Sequence, residues 1–224
     1  MLTLSPKPLA YVNVYGTDSS DVLYASPYGF DTHIDAGGGA DIVYGGNGND
    51  TVWGGAGDDQ VYGGAGNDTL YGGDNNDTLN GGIGNDTLFG DNGNDTIVGG
   101  AGIDVMYGGT GWDTFVFNSA SEAPVPPPDA FGLFNWDLSK FDTIADFNPG
   151  EGDKIDLRGI VNEAGGMNNI TLFADKPGAQ NSVGHDLVIE VWHKDSQQPV
   201  AMIHAHSVDA IDFNTAPIMS WLIL

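Results

Sequence analysis

Aspartate recurs at every ninth position through the first half of the chain: Asp41, Asp50, Asp59, Asp68, Asp77, Asp86, Asp95, Asp104 and Asp113. Between residues 36 and 116 there is no Lys, Arg, His or Glu to answer these charges. The whole chain of 224 residues carries 31 Asp plus Glu against 6 Lys plus Arg, a net charge of −25. Carboxylates stacked a strand spacing apart repel one another, so the segment needs a cation between them in order to fold. Oxygen ligands, roughly six or more per ion with backbone carbonyls included, select Ca²⁺, whereas Mg²⁺ keeps its waters and demands a tight octahedron. The absence of Cys removes disulfides, zinc ribbons and thiol chemistry. So acidic a chain offers no basic face to nucleic acid or to an anionic membrane. No apolar run reaches the ~18 residues of a membrane span, so no membrane insertion is expected.

The elements that must position the aspartates follow from the same period. From Ala36 to Val116 the chain reads as contiguous nonapeptides, of which GGAGNDTLY at Gly63–Tyr71 is representative. Six residues, G-G-x-G-x-D, make a turn in which glycines take positive φ. The remaining three make a short strand whose middle side chain points inward. That middle position is always apolar: Val43, Val52, Val61, Leu70, Leu79, Leu88, Ile97, Met106 and Phe115. One repeat cannot bury its own face, so the repeats stack, two to a coil. At about 4.7 Å per strand the stack is roughly 21 Å long. Consecutive turns alternate between two edges. One edge gathers Asp41, Asp59, Asp77, Asp95 and Asp113, and the other Asp50, Asp68, Asp86 and Asp104. Adjacent pairs along the edges predict about seven Ca²⁺ sites.

The repeat G-G-x-G-x-D-x-U-x resembles that of the RTX family of calcium-binding β-roll proteins. The resemblance is tight over residues 36–116 and loose over 16–35, where Asp21 and Leu23 keep the register. It implies that each ion lies between a turn and the next turn on its edge. The metal-binding set is then the nine aspartates together with Gly45, Gly54, Gly63, Gly72, Gly81, Gly99 and Gly108, with Asp21 as a possible addition. Asn75, Asp91 and Ala36 replace glycines of the pattern, which predicts weaker sites at Asp77 and Asp95. Asp58, one position before a ligand, is expected to point to solvent. Trp53, Tyr71, Phe89 and Tyr107 form an outward column that serves a partner surface, reflects β-propensity or is covered by the following domain.

Residues 1–35 read as an N-terminal cap with degenerate repeats, 36–117 as the roll, 118–140 as a Pro-rich excursion and 141–224 as a C-terminal β cap. The run Phe141–Leu157 resembles the cap of serralysin-type proteases and of alginate epimerase R-modules, and Asp142, Asp146, Asp153 and Asp156 match it. Asp146 and Asp153 are candidates for one further ion, with turn or surface roles as the alternative. Antiparallel strands are expected at Ile170–Phe173, Leu187–Trp192 and Val200–Ile203. His204 and His206, with His193 nearby, read as surface features rather than as a zinc site. Neither H-E-x-x-H nor G-x-S-x-G occurs, so the chain reads as a noncatalytic module. The start lacks a cleavable signal peptide, and the apolar tail after Asp212 reads as a type I secretion signal, a final strand or both. The expected fold is all-β, a right-handed parallel β-roll of nonapeptide repeats capped by an antiparallel β region. The expected role is a calcium-folded extracellular structural or interaction protein, exported by type I secretion machinery. The alternatives are a module for an anionic polysaccharide and a subunit of a surface layer or virion coat.

Overall fold

A computed structural model describes residues 11–25, 29–119, 142–163, 169–174, 185–192, 199–207 and 222–223. Within them the chain coils into two mainly parallel sheets that share successive strands. The strands β1 (Val12–Thr17), β3 (Thr32–Gly37), β5 (Thr51–Ala56), β7 (Thr69–Asp74), β9 (Thr87–Asn92) and β11 (Val105–Tyr107) lie side by side in one sheet. The other sheet takes β2 (Val22–Tyr24), β4 (Ile42–Asn47), β6 (Gln60–Ala65), β8 (Thr78–Ile83), β10 (Thr96–Ala101) and β12 (Thr114–Val116). Each coil repeats the register of the last, as in Thr51↔Thr69 and Val61↔Leu79. This is a β-solenoid with the coil length that the nonapeptide period implies.

The inward column fills the space between the sheets. Ile34, Val43, Val52, Val61, Leu70, Leu79, Leu88, Ile97, Met106 and Phe115 are all fully buried. Burial of each such side chain contributes on the order of 1.5–3 kcal/mol. From β4 to β10 the strands run six residues rather than the three expected from the pattern, while β11 and β12 keep three. Pairing continues through the first three turn residues, with Gly55↔Gly73 and Ala56↔Asp74 in register. The chain turns within the strand at the second glycine of each repeat, which has positive φ (96° at Gly46), so the ladder survives the corner. Asn75 and Asp91 hold the same left-handed conformation at φ 84° and 71°, which Asn and Asp tolerate best among residues with a Cβ.

Coiling continues past the repeats. The strand β13 (Asp142–Phe147) pairs in parallel with β11, and β14 (Lys154–Asp156) pairs in parallel with β12. A short helix, α1 (Arg158–Glu163), follows. Then β15 (Asn169–Ala174), β16 (His185–Trp192) and β17 (Pro199–Ser207) form an antiparallel set, and β17 joins β13 in parallel. The tail strand β18 (Leu222–Ile223) pairs with β14. Phe115, Phe117, Phe147, Ile155, Leu157 and Ile160 pack beneath these strands as a broader core. His204 is 6% exposed rather than on the surface, because β17 is an inner strand flanked by β13 and β16. The Pro-rich excursion, apart from its first residues, and His193 lie outside the described residues.

Candidate metal centre

Both edges of the roll carry a continuous ladder of aspartates. On one edge the amide of Asp41 donates to Asp59 Oδ1 at 2.8 Å, Asp59 to Asp77 at 2.8 Å, Asp77 to Asp95 at 2.8 Å and Asp95 to Asp113 at 2.9 Å. On the other, Asp50 donates to Asp68 at 2.7 Å, Asp68 to Asp86 at 2.8 Å and Asp86 to Asp104 at 2.8 Å. All nine carboxylates are at most 2% exposed. Position eight is therefore not the only inward position, since the turn backbone shields the sixth as well. The bonds into Asp77 and Asp95 are as short as the rest, so the substitutions at Asn75 and Asp91 leave the ladder intact.

The second carboxylate oxygen defines the site. Oδ2 of Asp41, Asp50, Asp59, Asp68, Asp77, Asp86, Asp95 and Asp113 is buried without a hydrogen-bond partner. From Asp50 onward it faces the first glycine of its own turn. A Cβ on Gly45 would lie 2.9 Å from Asp50 Oδ2 and 2.5 Å from the Gly63 carbonyl oxygen, and one on Gly54 would lie 2.6 Å from both Asp59 Oδ2 and the Gly72 oxygen. Gly63, Gly72, Gly81, Gly99 and Gly108 repeat the arrangement against their own aspartates, as does Gly90, which is not among the glycines expected at the sites. A side chain there would fill the gap that carboxylate and carbonyl oxygens share.

Burial raises these carboxylates. Asp77 is pushed up to about 8, Asp86 to about 7, and Asp50, Asp59, Asp68, Asp95 and Asp113 to about 6. Desolvation is the main cause in each, amide donation opposes it, and in most a neighbouring aspartate adds repulsion. An unpartnered buried anion is costly, and a hard divalent cation is the group that removes the cost. Among the described residues no three Asp, Glu, His or Cys side chains form a group that could hold an ion by themselves. A cation at this edge therefore draws on backbone carbonyls as well, and that donor set fits Ca²⁺.

The ladders extend beyond the repeats at both ends. The amide of Asp21 donates to Asp41 Oδ1 at 2.7 Å, while its own Oδ2 accepts from Thr17 N and Oγ1, both at 2.8 Å. Thr32, not Asp31, precedes Asp50, donating to its Oδ1 at 2.7 Å. At the far end Asp104 donates to Asp142 at 2.9 Å and Asp113 to Asp153 at 3.0 Å. Asp142 is fully buried and was not among the expected metal residues. Its signal was Asp142-Thr-Ile144, which repeats the D-T-U triplet of the nonapeptide. Asp146 is off the ladder, accepting from the amides of Gly108 at 2.9 Å and Gly109 at 3.0 Å.

A second ladder runs in the opposite sense. At position five, Asn49 Oδ1 accepts from Asn67 N and Asn67 Oδ1 from Asn85 N, both at 2.8 Å. Asp58 belongs to it: exposed as expected, it nevertheless accepts from Asn76 N at 3.0 Å rather than pointing idly to solvent. The outward aromatics also stack. Trp53–Tyr71, Tyr71–Phe89 and Phe89–Tyr107 have centroids 5.7, 4.8 and 4.7 Å apart at interplanar angles of 3–10°. Ring faces are spent on neighbouring rings, so the column turns mostly edges outward.

Buried carboxylate ladders on a two-sheet solenoid define a calcium-binding β-roll. Residues 29–61, 53–88 and 89–119 match the family model of the RTX calcium-binding nonapeptide repeat. This segment is an RTX calcium-binding repeat region. No curated protein is similar to the chain at a significant level. Among solved structures, the AlgE6R3 subunit of the Azotobacter vinelandii mannuronan C5-epimerase is 26% identical, covering 68% of this chain and 81% of its own, with a TM-score of 0.44. The AlgE6R2 subunit of the same enzyme is 21% identical, covering 94% of this chain and 91% of its own, with a TM-score of 0.36.

Proposed function

We propose that the chain acts as a noncatalytic structural or interaction module that folds outside the cell when Ca²⁺ fills the roll. The observation that carries this reading is the buried, unpartnered Oδ2 repeated along both ladders. Calcium is scarce in the cytosol, and there the −25 chain repels itself and stays open for export by a type I route. Outside, where calcium is millimolar, sites with Kd on the order of 10⁻⁴–10⁻³ M fill, and binding free energy becomes folding free energy. The noncatalytic assignment rests on the sequence, which has neither H-E-x-x-H nor G-x-S-x-G. Circular dichroism of the chain in EGTA, then in excess Ca²⁺, tests the reading. A coil spectrum that converts to β on calcium addition is expected; a full β spectrum in the chelator overturns it.

A second reading, as a polysaccharide-binding module, has one observation in its favour. Asn13, Tyr15, His33, Asp35 and Trp53 line a shallow groove at the N-terminal end of the aromatic column. Tyr15 there is 72% exposed, so its ring is open to a sugar. The scarcity of basic residues requires calcium to bridge any uronate carboxylate. Calorimetric titration with alginate oligomers decides, and no heat at millimolar ligand rejects the reading.

A further inference from the structure

The outward aromatic column is interrupted at one rung. Strand register places Tyr15 beside Asp35 and Asp35 beside Trp53 on the outer face of their sheet. From Trp53 onward every rung down to Tyr107 is a ring, stacked on the next at 5.7, 4.8 and 4.7 Å. The other sheet begins its own column without a break, Tyr24 on Tyr44 at 5.0 Å and Tyr44 on Tyr62 at 5.2 Å. Asp35 therefore stands where the pattern has a ring. Tyr15 and Trp53 spring from strands two spacings apart, about 9.5 Å, which leaves room between them for one planar group. The groove lined by Asn13, Tyr15, His33, Asp35, Trp53 and Gly55 lies at this place. Its walls are aromatic and its floor is a carboxylate. Trp53 gives one face to Tyr71, nearly parallel at 3°, and turns the other toward the Asp35 rung. His33 packs on Tyr11 at 4.4 Å and on Trp53 at 6.0 Å, which holds it at the side of the slot. Asp35 is exposed, and the only Lys and Arg among the described residues, Lys154 and Arg158, lie past the last repeat.

We propose that this slot takes an arginine side chain of a basic partner protein, with the guanidinium stacked between Tyr15 and Trp53 and its N–H groups donating to both oxygens of Asp35. The chemistry selects that group. A neutral ring in the slot would strip water from the carboxylate and return nothing, and a uronate would be repelled by it. A lysine ammonium is a compact, strongly hydrated charge that leaves the two ring faces unused. A guanidinium is planar, stacks on aromatic faces and pairs with a carboxylate through two parallel bonds. The partner must supply it, because the chain has a single arginine, Arg158, and that residue is paired with Asp156. The net charge of −25 steers a basic chain toward the roll.

The slot needs calcium only in so far as the roll must be folded, so the test uses full chain whose β spectrum in saturating Ca²⁺ has first been verified. The isotope-labelled chain is titrated with a blocked Gly-Arg-Gly peptide, with its lysine and citrulline counterparts, and with an alginate oligomer. Heteronuclear NMR follows the Trp53 indole N–H signal, identified by its loss in Trp53→Phe. A saturable shift with the arginine peptide is expected, with roughly fivefold weaker binding of the lysine peptide and no response to citrulline. Asp35→Asn and Tyr15→Ala should each weaken the arginine peptide roughly fivefold. Should Asp35→Asn fail to fold, Tyr15→Ala decides, since it trims an exposed ring. Equal affinity for the arginine and lysine peptides, unaltered in the variants, overturns the slot and leaves bulk charge as the attraction. A Trp53 shift with the alginate oligomer and none with the arginine peptide also overturns it, and gives the groove to a sugar. Because the chain is already folded in calcium, either failure leaves the calcium reading intact.

Discussion

The roll and the C-terminal region are held together by different forces, although the same sheets run through both. In a repeat coil the apolar interior is a single file of side chains, and the flanking buried groups are aspartates. From Phe115 onward the interior broadens. Phe115 meets Phe147 edge-on at 6.3 Å, and Phe117, Leu157, Ile160, Ile189, Val191, Ile203 and Ala205 are buried with them. There Arg158 pairs with Asp156 at 2.6 Å, whereas no residue between 36 and 116 can supply such a partner. On the calcium reading, a narrow core flanked by buried charge is a conditional structure that needs a cation to offset those anions. A broad apolar core depends far less on ions.

The largest expected contrast comes from stripping calcium and varying pH. In the metal-free roll burial pushes Asp50 up to about 6 and Asp77 up to about 8, against 3.8 ordinarily. Between these values the folded roll binds more protons than the unfolded chain. The associated stability is therefore fully present below about 3.8 and is lost as pH rises through about 8. Calcium-stripped chain at micromolar concentration should gain β signal as pH falls from 8 toward 4, and saturating Ca²⁺ should flatten the profile. A metal-free chain equally folded at both pH values would erase the distinction between the two regions.

Next in size is Phe147→Ala, which should cost about 3–5 kcal/mol in urea unfolding at saturating calcium, without moving calcium affinity much. Asp86→Ala should do the reverse. It removes a carboxylate shared by the gaps above and below, and should raise the calcium needed for half-folding several-fold with a shallower transition. Gly81→Ala should match it, because the new methyl would overlap Asp86 Oδ2 and lie 2.5 Å from the Gly99 carbonyl oxygen. If Gly81→Ala leaves calcium affinity alone, the gap beneath the carboxylate is not where the ion sits. Smaller still is Asn67→Ala, which breaks one side-chain bond to Asn85 N and should cost about 0.5–1.5 kcal/mol at saturating calcium. Asp58→Ala should come last, because the lost bond to Asn76 is offset by relief of self-repulsion. Comparable losses for Asp58→Ala and Asp86→Ala would mean that the aspartates act through bulk charge alone.

Much of the site was legible because its ingredients are local. The ninefold spacing of aspartate, the apolar eighth position and the absence of basic residues all lie within short windows. Asn75 and Asp91 predict weaker sites from the sequence, yet both hold the left-handed backbone conformation that their turns require. His204 was misplaced because exposure on a strand depends on its neighbours, and β17 acquires both of them only in the sheet. Asp142 was missed because it follows Asp104 by 38 residues, too far for a period of nine to predict.

By itself the sequence determined the period, the all-β class, the identity of the inward column and the preference for a hard divalent cation. Each follows from residue type at fixed short spacing, where backbone geometry leaves few choices. Tertiary structure alone decided which residues continue the ladders past the repeats: Thr32 before Asp50, Asp142 after Asp104 and Asp153 after Asp113. It also decided that, from Asp50 onward, one oxygen of each repeat carboxylate accepts an amide while the other faces its own turn's first glycine. Both depend on where the chain lands after a coil is closed, and only the stacking of one coil upon the next decides that.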